Sequence, residues 1–513
     1  MHIIIAFILL LFAQESYSQN TRDNSPVLNF IRGTVSDQEG QALPGALILE
    51  TGTTNGTIAD EKGKFQLFIA PQSSITISFI GYKSQEIRVG QSNTFHIILE
   101  ETSMLLDDVI VTALGLQKTE KSLAYATAKV SQDELIRVKD PNMIVTLMGK
   151  IAGVNISKSA SAKVTLRGIR SVAGNNQPLY VIDGMPVLNS SSEQAYTAIG
   201  GIADAGNRDA GDGISNLNPE DVTSISILKG APAAALYGTE AANGVILINT
   251  RKGEIGKQEV SFSSHLLFDQ VICLPDFQNS YGVSDKIESW GEQREMPVYN
   301  QARDFFQTGV TATNSLSISS GKEQMQSYFS YANTTVKGIV PKNKMNQHNL
   351  NLRETTSLFN QRLRLDGNVN LMHQKVRNRP VPGGFYMNPL VGLYRFPRGE
   401  DITPYREHYE ILNERRNLME QNWHSSTEDF EQNPYWVINR ILSTATRNRV
   451  IASLSAKLFI QDGLNVQARG TIDYIDDKFR QECYASTAPS LAGNNGRYIE
   501  SSYQEIQAYG DKP

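Results

Sequence analysis

NPEDVTSISILKGAPAAALYGTEAANGVILINTRKG, residues 218–253, decides how the chain is read. Asn218 before Pro219 opens a helical turn, because an Asn side chain caps free N–H groups and Pro is tolerated at the first helical position. TSISILKG then reads as a strand and APAAALYG as a short helix. Asn243-Gly244 supplies a turn into the strand VILINT. Upstream, Asp140-Pro141 marks another helix start, and Met143, Ile144, Leu147, Met148 and Ile151 share one helical face. VTLRGI and PLYVIDGMPV read as strands. Residues 119–253 are therefore expected to form one compact α/β domain with a small sheet. Glycines are frequent there, but neither G-x-x-x-x-G-K-[ST] nor G-x-G-x-x-G occurs, so they read as turn residues rather than a phosphate cradle.

Downstream of residue 257 the period changes from mixed to two. Val260, Phe262, Leu266 and Phe268 share one face, as do Leu363, Leu365, Val369 and Leu371. Val450, Ala452, Leu454, Ala456 and Leu458 repeat the pattern, followed by Leu464, Val466, Ile472 and Tyr474. Long strands alternating apolar and polar residues are the mark of a transmembrane barrel, where lipid-facing and lumen-facing positions alternate. A water-soluble β-sandwich is the competing reading of the same pattern. Between these strands, residues 377–445 set aromatics such as Phe385, Tyr386, Trp423, Tyr435 and Trp436 among polar residues, as in a long loop. Packing within that loop is the expected role of these rings, and stacking on sugar is the functional alternative.

Upstream of the α/β domain, residues 27–101 hold several short strands spaced by turns, the pattern of a small β-sandwich. Gly52, Gly56 and Gly63 fall where a positive φ is expected. Between sandwich and α/β domain lies LDDVIVTALG, residues 106–115, whose run Val109, Ile110, Val111 is too short for a helix and has no obvious partner strand beside it. At the N-terminus, an apolar stretch from Ile3 to Ala13 is too short to span a bilayer. Ser16 and Ser18 follow it at signal-peptidase positions. Residues 1–18 are expected to be a signal peptide cleaved before Gln19, although no Lys or Arg precedes the apolar core. No cysteine follows it, so no lipid anchor is expected. Cys273 and Cys483 are the only cysteines, too few for a disulfide scaffold, and whether they pair stays open.

The chain has 513 residues and a net charge of -5 with no long basic run, so nucleic acid is not an expected partner. Seven histidines are scattered without metal-ligand spacing. No G-x-S-x-G elbow is present. No metal, cofactor or catalytic set is expected, and the protein reads as a non-enzyme.

Four stretches carry a family resemblance: LDDVIVTALG, the pair LRGIRS and YVIDGMPV, the segment 218–253, and the leading sandwich with its G-x-V-x-D-x-x-G, L-P-G-A and I-G-Y elements. Their order resembles the N-terminal portion of a SusC-type TonB-dependent outer-membrane transporter of Bacteroidetes. The sandwich resembles a carboxypeptidase-regulatory-like domain. The resemblance implies a mainly β chain: sandwich at 27–101, TonB box at 106–116, plug domain at 119–253, and the first strands of an incomplete transmembrane β-barrel at 257–513. Asp107, Asp108, Val109, Ile110, Val111 and Thr112 become the TonB-binding residues. An extended β-branched segment can add as a strand to a partner's sheet edge, with affinity from backbone hydrogen bonds. Arg167, Glu220 and Asp221 are placed by the resemblance near the plug and barrel walls, where ion pairs would hold the plug. It also implies residence in the outer membrane of a Gram-negative cell, contact with its lipid, and a SusD-like lipoprotein as partner. The expected substrate is an oligosaccharide, with peptide as the other class.

Plugged transporters need about 22 strands of ~10 residues, and the region after 257 has room for about a third of them. The expectation is a fragment, a truncated product or a pseudogene. The alternative to an importer is a non-transporting remnant that acts at most as a binding module.

Overall fold

The structure, a computed structural model, describes residues 29–510, leaving out 38, 52, 54, 72, 80, 81, 83, 91, 92, 101–108, 112–116, 120–126, 137–142, 159–161, 170, 172–175, 188, 190–213, 215, 216, 230, 284–288, 382–386, 426–430, 462 and 463. The expected signal peptide, and Asp107, Asp108 and Thr112, lie outside the described residues. The chain divides into two units at residue 108.

The first unit is a sandwich of two sheets. One holds Asn29–Ser36 between Lys64–Ile69 and Thr94–Ile98. The other orders Gly56–Ile58, Leu47–Glu50, Ser74–Ser78 and Gln85–Arg88. Alternation along each strand sends Ile31, Val35, Ile48, Phe65, Leu67 and Ile77 into a shared core. Gly63 takes the expected positive φ of 71°. Gly56 does not: it sits in a strand, where an added Cβ would lie 2.5 Å from Leu49 Cδ2 and 2.7 Å from the Ile48 carbonyl oxygen. Close approach, rather than a turn, requires glycine there.

The second unit begins with a short hairpin, Val109–Val111 paired antiparallel with Gln117–Thr119. The apolar run thus has a partner strand, supplied from just beyond the intervening residues. The α/β domain follows. Its sheet runs Thr127–Ser131, Val222–Leu228, Val245–Thr250, Leu179–Ile182, Met185–Pro186, and a separate hairpin joins Val154–Lys158 to Ala162–Leu166. Ala231–Tyr237 is the expected short helix. Of the helix expected from Asp140-Pro141 through Ile151, residues 140–142 lie outside the described residues, and the described part is instead a 3₁₀ turn, Met143–Leu147. Gly149, at φ 74°, turns the chain away just after it. Met143, Ile144, Leu147 and Ile151 are buried as their spacing suggested, but Met148 is exposed.

Eight long strands form one antiparallel sheet in chain order: Gln258–Asp269, Gly309–Lys322, Met325–Lys337, Lys344–Leu358, Leu363–Arg377, Ile441–Gln461, Leu464–Cys483 and Arg497–Gly510. They are called the first to eighth wall strands below. Among the described residues the first and eighth are unpaired on their outer edges, so the barrel is not closed. One face is apolar and exposed, with Val260, Phe262, Leu454 and Ile472 all more than half exposed. The opposite face carries Arg353, Asn351, Arg449 and Asp473, buried under the α/β domain. A polar inner face and an apolar outer face are the barrel pattern, inverted from a soluble sandwich.

The aromatics of residues 377–445 are mostly folded inward. Phe396, Tyr435 and Trp436 are buried, and Trp436 Nε1 donates to Thr487 Oγ1 at 3.1 Å. Phe396, Tyr405 and Trp423 lie ring to ring beside Phe305 and Leu393. Phe385 and Tyr386 lie outside the described residues. Cys273 is exposed, Cys483 is buried, and both are free thiols. No described helix is long and apolar enough to cross a membrane, which says nothing of a β-barrel.

Candidate functional site

The seat of the α/β domain in the hollow of the wall is built from three short turns, each delivering a polar group to lumen-facing side chains. The first is Asn218-Pro219-Glu220-Asp221. Asn218 Oδ1 accepts from the Glu220 N–H at 3.2 Å, and Pro219 fixes the first helical φ. The turn is three residues long before Val222–Leu228 leaves it. Asp221 is thereby pressed against the third wall strand, where Tyr328 donates its hydroxyl to Oδ1 at 2.9 Å. Arg251 places its guanidinium 5.5 Å from the Tyr328 ring centre, and the Arg251 backbone N–H donates to the Asp221 backbone carbonyl at 2.8 Å. Burial pushes the Asp221 carboxyl up to about 6. Glu220 reaches the first wall strand, accepting from Ser263 Oγ.

The second turn is Asp183-Gly184, between Leu179–Ile182 and Met185–Pro186. Both residues have positive φ, 49° and 87°. Asp is among the few residues other than glycine that enter that region readily. Here Oδ1 accepts from the Thr250 N–H at 3.0 Å and Oδ2 from Thr250 Oγ1 at 2.6 Å. The positive φ favours glycine at Gly184, and an added Cβ would lie 2.6 Å from Arg469 Nη1, so the tip of that seventh-strand side chain packs directly over the turn. Asp183 Oδ2 then accepts from Arg353 Nη1 of the fourth strand at 2.8 Å. The other edge of Arg353 grips Asp366 of the fifth strand through two bonds of 2.9 Å each, and Lys252 donates to the same carboxylate at 2.9 Å. A planar guanidinium suits this double grip because its donors form a rigid fork. Beside the cluster opens a cavity of about 550 Å³ into which Arg364, Lys457 and Arg469 also reach.

The third contact is Glu240, which accepts from Tyr509 of the eighth strand at 3.3 Å. Ile451 of the sixth strand joins the hydrophobic core of the α/β domain. Polar contacts dominate the rest of the seat. Such groups exchange their partners for water on separation, whereas an apolar interface resists opening. The arrangement holds the domain in register yet leaves release feasible.

Of the residues singled out from sequence, Glu220 and Asp221 touch the wall. Arg167 is exposed at φ 60° and forms no ion pair among the described residues. Val109, Ile110 and Val111 form the short strand described above. Asp183, Thr250, Lys252, Arg353 and Asp366 were not singled out. Asp183 reads as an ordinary Asp-Gly turn. The signal for Arg353 is faint: a charge at an inward position of NLNLRETTSL, between buried Asn351 and Thr355.

Residues 31–111 match the CarboxypepD_reg-like domain, and residues 119–245 match the TonB-dependent receptor plug domain. The chain is 29% identical over 429 residues to TonB-dependent receptor SusC of Bacteroides thetaiotaomicron, covering 79% of this chain and 40% of that protein. It is 27% identical to TonB-dependent receptor P39 of Formosa agariphila, covering 68% of this chain and 33% of that protein. In structure it is similar to the RagAB peptide importer in its open-open state, with a TM-score of 0.58 at 17% identity, over 78% of this chain and 46% of that one. The chain spans less than half the length of these curated relatives.

Proposed function

We propose that this chain, which has the domain order of the N-terminal portion of a SusC-type TonB-dependent receptor, serves the energised import of a nutrient across the outer membrane of a Gram-negative cell. The observation that carries the reading is a plug domain seated by polar contacts in the hollow of a wall with an apolar outer face. Asp107, Asp108, Val109, Ile110, Val111 and Thr112 are the contact for TonB. The three apolar residues are already extended, so handing the strand to a partner's sheet edge exchanges one set of backbone hydrogen bonds for another. Tension on this segment is transmitted to the plug immediately after it in sequence. Glu220 and Asp221, with Asp183, are the holding contacts that must yield. An oligosaccharide is the substrate class, captured together with a SusD-like lipoprotein.

The test removes residues 107–112 from the protein in its native membrane. Uptake of labelled oligosaccharides and of peptides is measured separately, so that substrate class and energised step are read apart. Uptake of the active class falls to background while the protein still reaches the outer membrane. Undiminished uptake overturns the assignment of the TonB contact.

A further inference from the structure

The outer face of the wall carries an unexplained row of cations. Strand pairing places Lys344 opposite Arg377, Arg377 opposite Thr444, and Thr444 opposite Arg480. In the adjacent row, Lys375 stands opposite Thr446, and Thr446 opposite Lys478. Alternation fixes the face. Met372, Gln374 and Val376 are buried toward the plug, so Lys375 and Arg377 point outward, and both are exposed. With Lys342 these side chains rim a surface hollow of about 580 Å³, in which six cations face only two carboxylates, Glu482 and Glu500.

Some of these cations have company. Arg480 pairs with Glu482, and Lys478 lies 3.9 Å from Asp476. Lys342, Lys344, Lys375 and Arg377 form no ion pair among the described residues. Like charges directly opposite each other on neighbouring strands are destabilising. Lys344 facing Arg377 therefore calls for an anion from outside the chain.

The height of the row says which anion. At one end of the wall the strands join through the short turns 323–324 and 359–362; at the other, through 338–343 and the long segments 270–308, 378–440 and 484–496. In outer-membrane barrels the short turns are periplasmic and the long loops extracellular. The cations stand at the long-loop end. Below them the outward face becomes amphipathic: Tyr331 and His348 share a hydrogen bond of 2.8 Å, and His373 bonds Asn448 at 2.7 Å. Below that it is apolar, with Leu371, Val369, Leu352 and Leu454 exposed. From Leu371 to Lys375 is roughly 13 Å along the strand, or about 10 Å in height at a tilt near 40°. That puts the cations in the polar layer of the outer leaflet, above an interfacial girdle.

We propose that this row is a binding site for the phosphate groups of a glycolipid in the outer leaflet. The proposal rests on the barrel reading given above. Each cation near an anionic membrane surface raises affinity roughly fivefold, so the cluster suffices for selective retention of a phosphorylated lipid.

The test uses the full protein in neutral detergent micelles, titrated with diphosphoryl lipid A and with the same lipid dephosphorylated, and read by native mass spectrometry. The unaltered protein prefers the phosphorylated lipid by at least tenfold. Lys344→Gln, Lys375→Gln and Arg377→Gln together remove that preference, while Lys375→Arg alone keeps it. Should the triple variant fail to fold, Lys375→Gln alone lowers the preference severalfold. Equal binding of both lipids, or an unchanged preference in the folded variants, overturns the site. Full displacement by millimolar inorganic phosphate also overturns it, in favour of a simple anion site. Loss of heat-modifiable migration in the unaltered protein sinks the barrel reading instead, and is scored before any lipid is added.

Discussion

Arg353 is buried between two carboxylates from different parts of the fold, Asp183 of the plug and Asp366 of the wall. Removing one partner of a buried ion pair costs about 3–5 kcal/mol, because the remaining charge is left uncompensated. Arg353→Ala takes from Asp183 its cation and leaves Asp366 to Lys252 alone, so the plug is expected to become the first part digested in limited proteolysis of the folded protein; unchanged digestion would show that the cluster does not hold the seat. Asp221 offers a pH test. Its carboxyl is raised from about 3.8 to about 6 by burial, so the folded state binds the proton more tightly than the unfolded one. This contribution is present in full below pH 4 and is lost as pH rises through 6, on the order of 3 kcal/mol across the window. Asp221→Asn keeps an acceptor for Tyr328 and removes the charge. Denaturant titrations of the variant are expected to show a flatter pH dependence between 4 and 6 and a more stable plug at pH 7. These residues were only half legible in the sequence. Asn218-Pro219 announced the turn that delivers Asp221, but nothing local to Asp183 or Arg353 says that residues 170 positions apart will meet.

At the scale of elements, local chemistry was decoded where it dominates. The caps and turns of 218–253 appear as written, because Asn-Pro and Asn-Gly restrict the backbone whatever surrounds them. The described part of the helix expected from Asp140-Pro141 through Ile151 is a 3₁₀ turn because burial of its apolar residues against the plug sheet, not helical length, decides that segment. The hairpin of Val109–Val111 was missed for a related reason: its partner Gln117–Thr119 is polar and carries no strand signal. If backbone hydrogen bonding is what the segment offers TonB, Ile110→Pro abolishes capture of a purified TonB C-terminal fragment, whereas Ile110→Val leaves it within twofold. Equal capture by both variants would mean that side chains, not the strand, are recognised.

At the scale of the molecule, the alternation that marks the wall strands was legible because a period of two survives in any sheet. Which face meets the plug was not, since both a soluble sandwich and a barrel alternate. The structure separates them by what lies on each side: Arg449 and Asp473 are buried inward, and Leu454, on the same strand as Arg449, is 62% exposed outward. In water, replacing so exposed a Leu by Arg changes stability by no more than about 0.5 kcal/mol. In a bilayer the same charge near the midplane costs about 2–4 kcal/mol. Leu454 lies midway along the apolar stretch from Val450 to Leu458 on the outward face. Leu454→Arg is therefore expected to impair folding into lipid vesicles by that margin while Leu454→Val does not. If both variants fold into vesicles equally well, the exposed apolar face is not in contact with lipid, and the import reading loses its membrane.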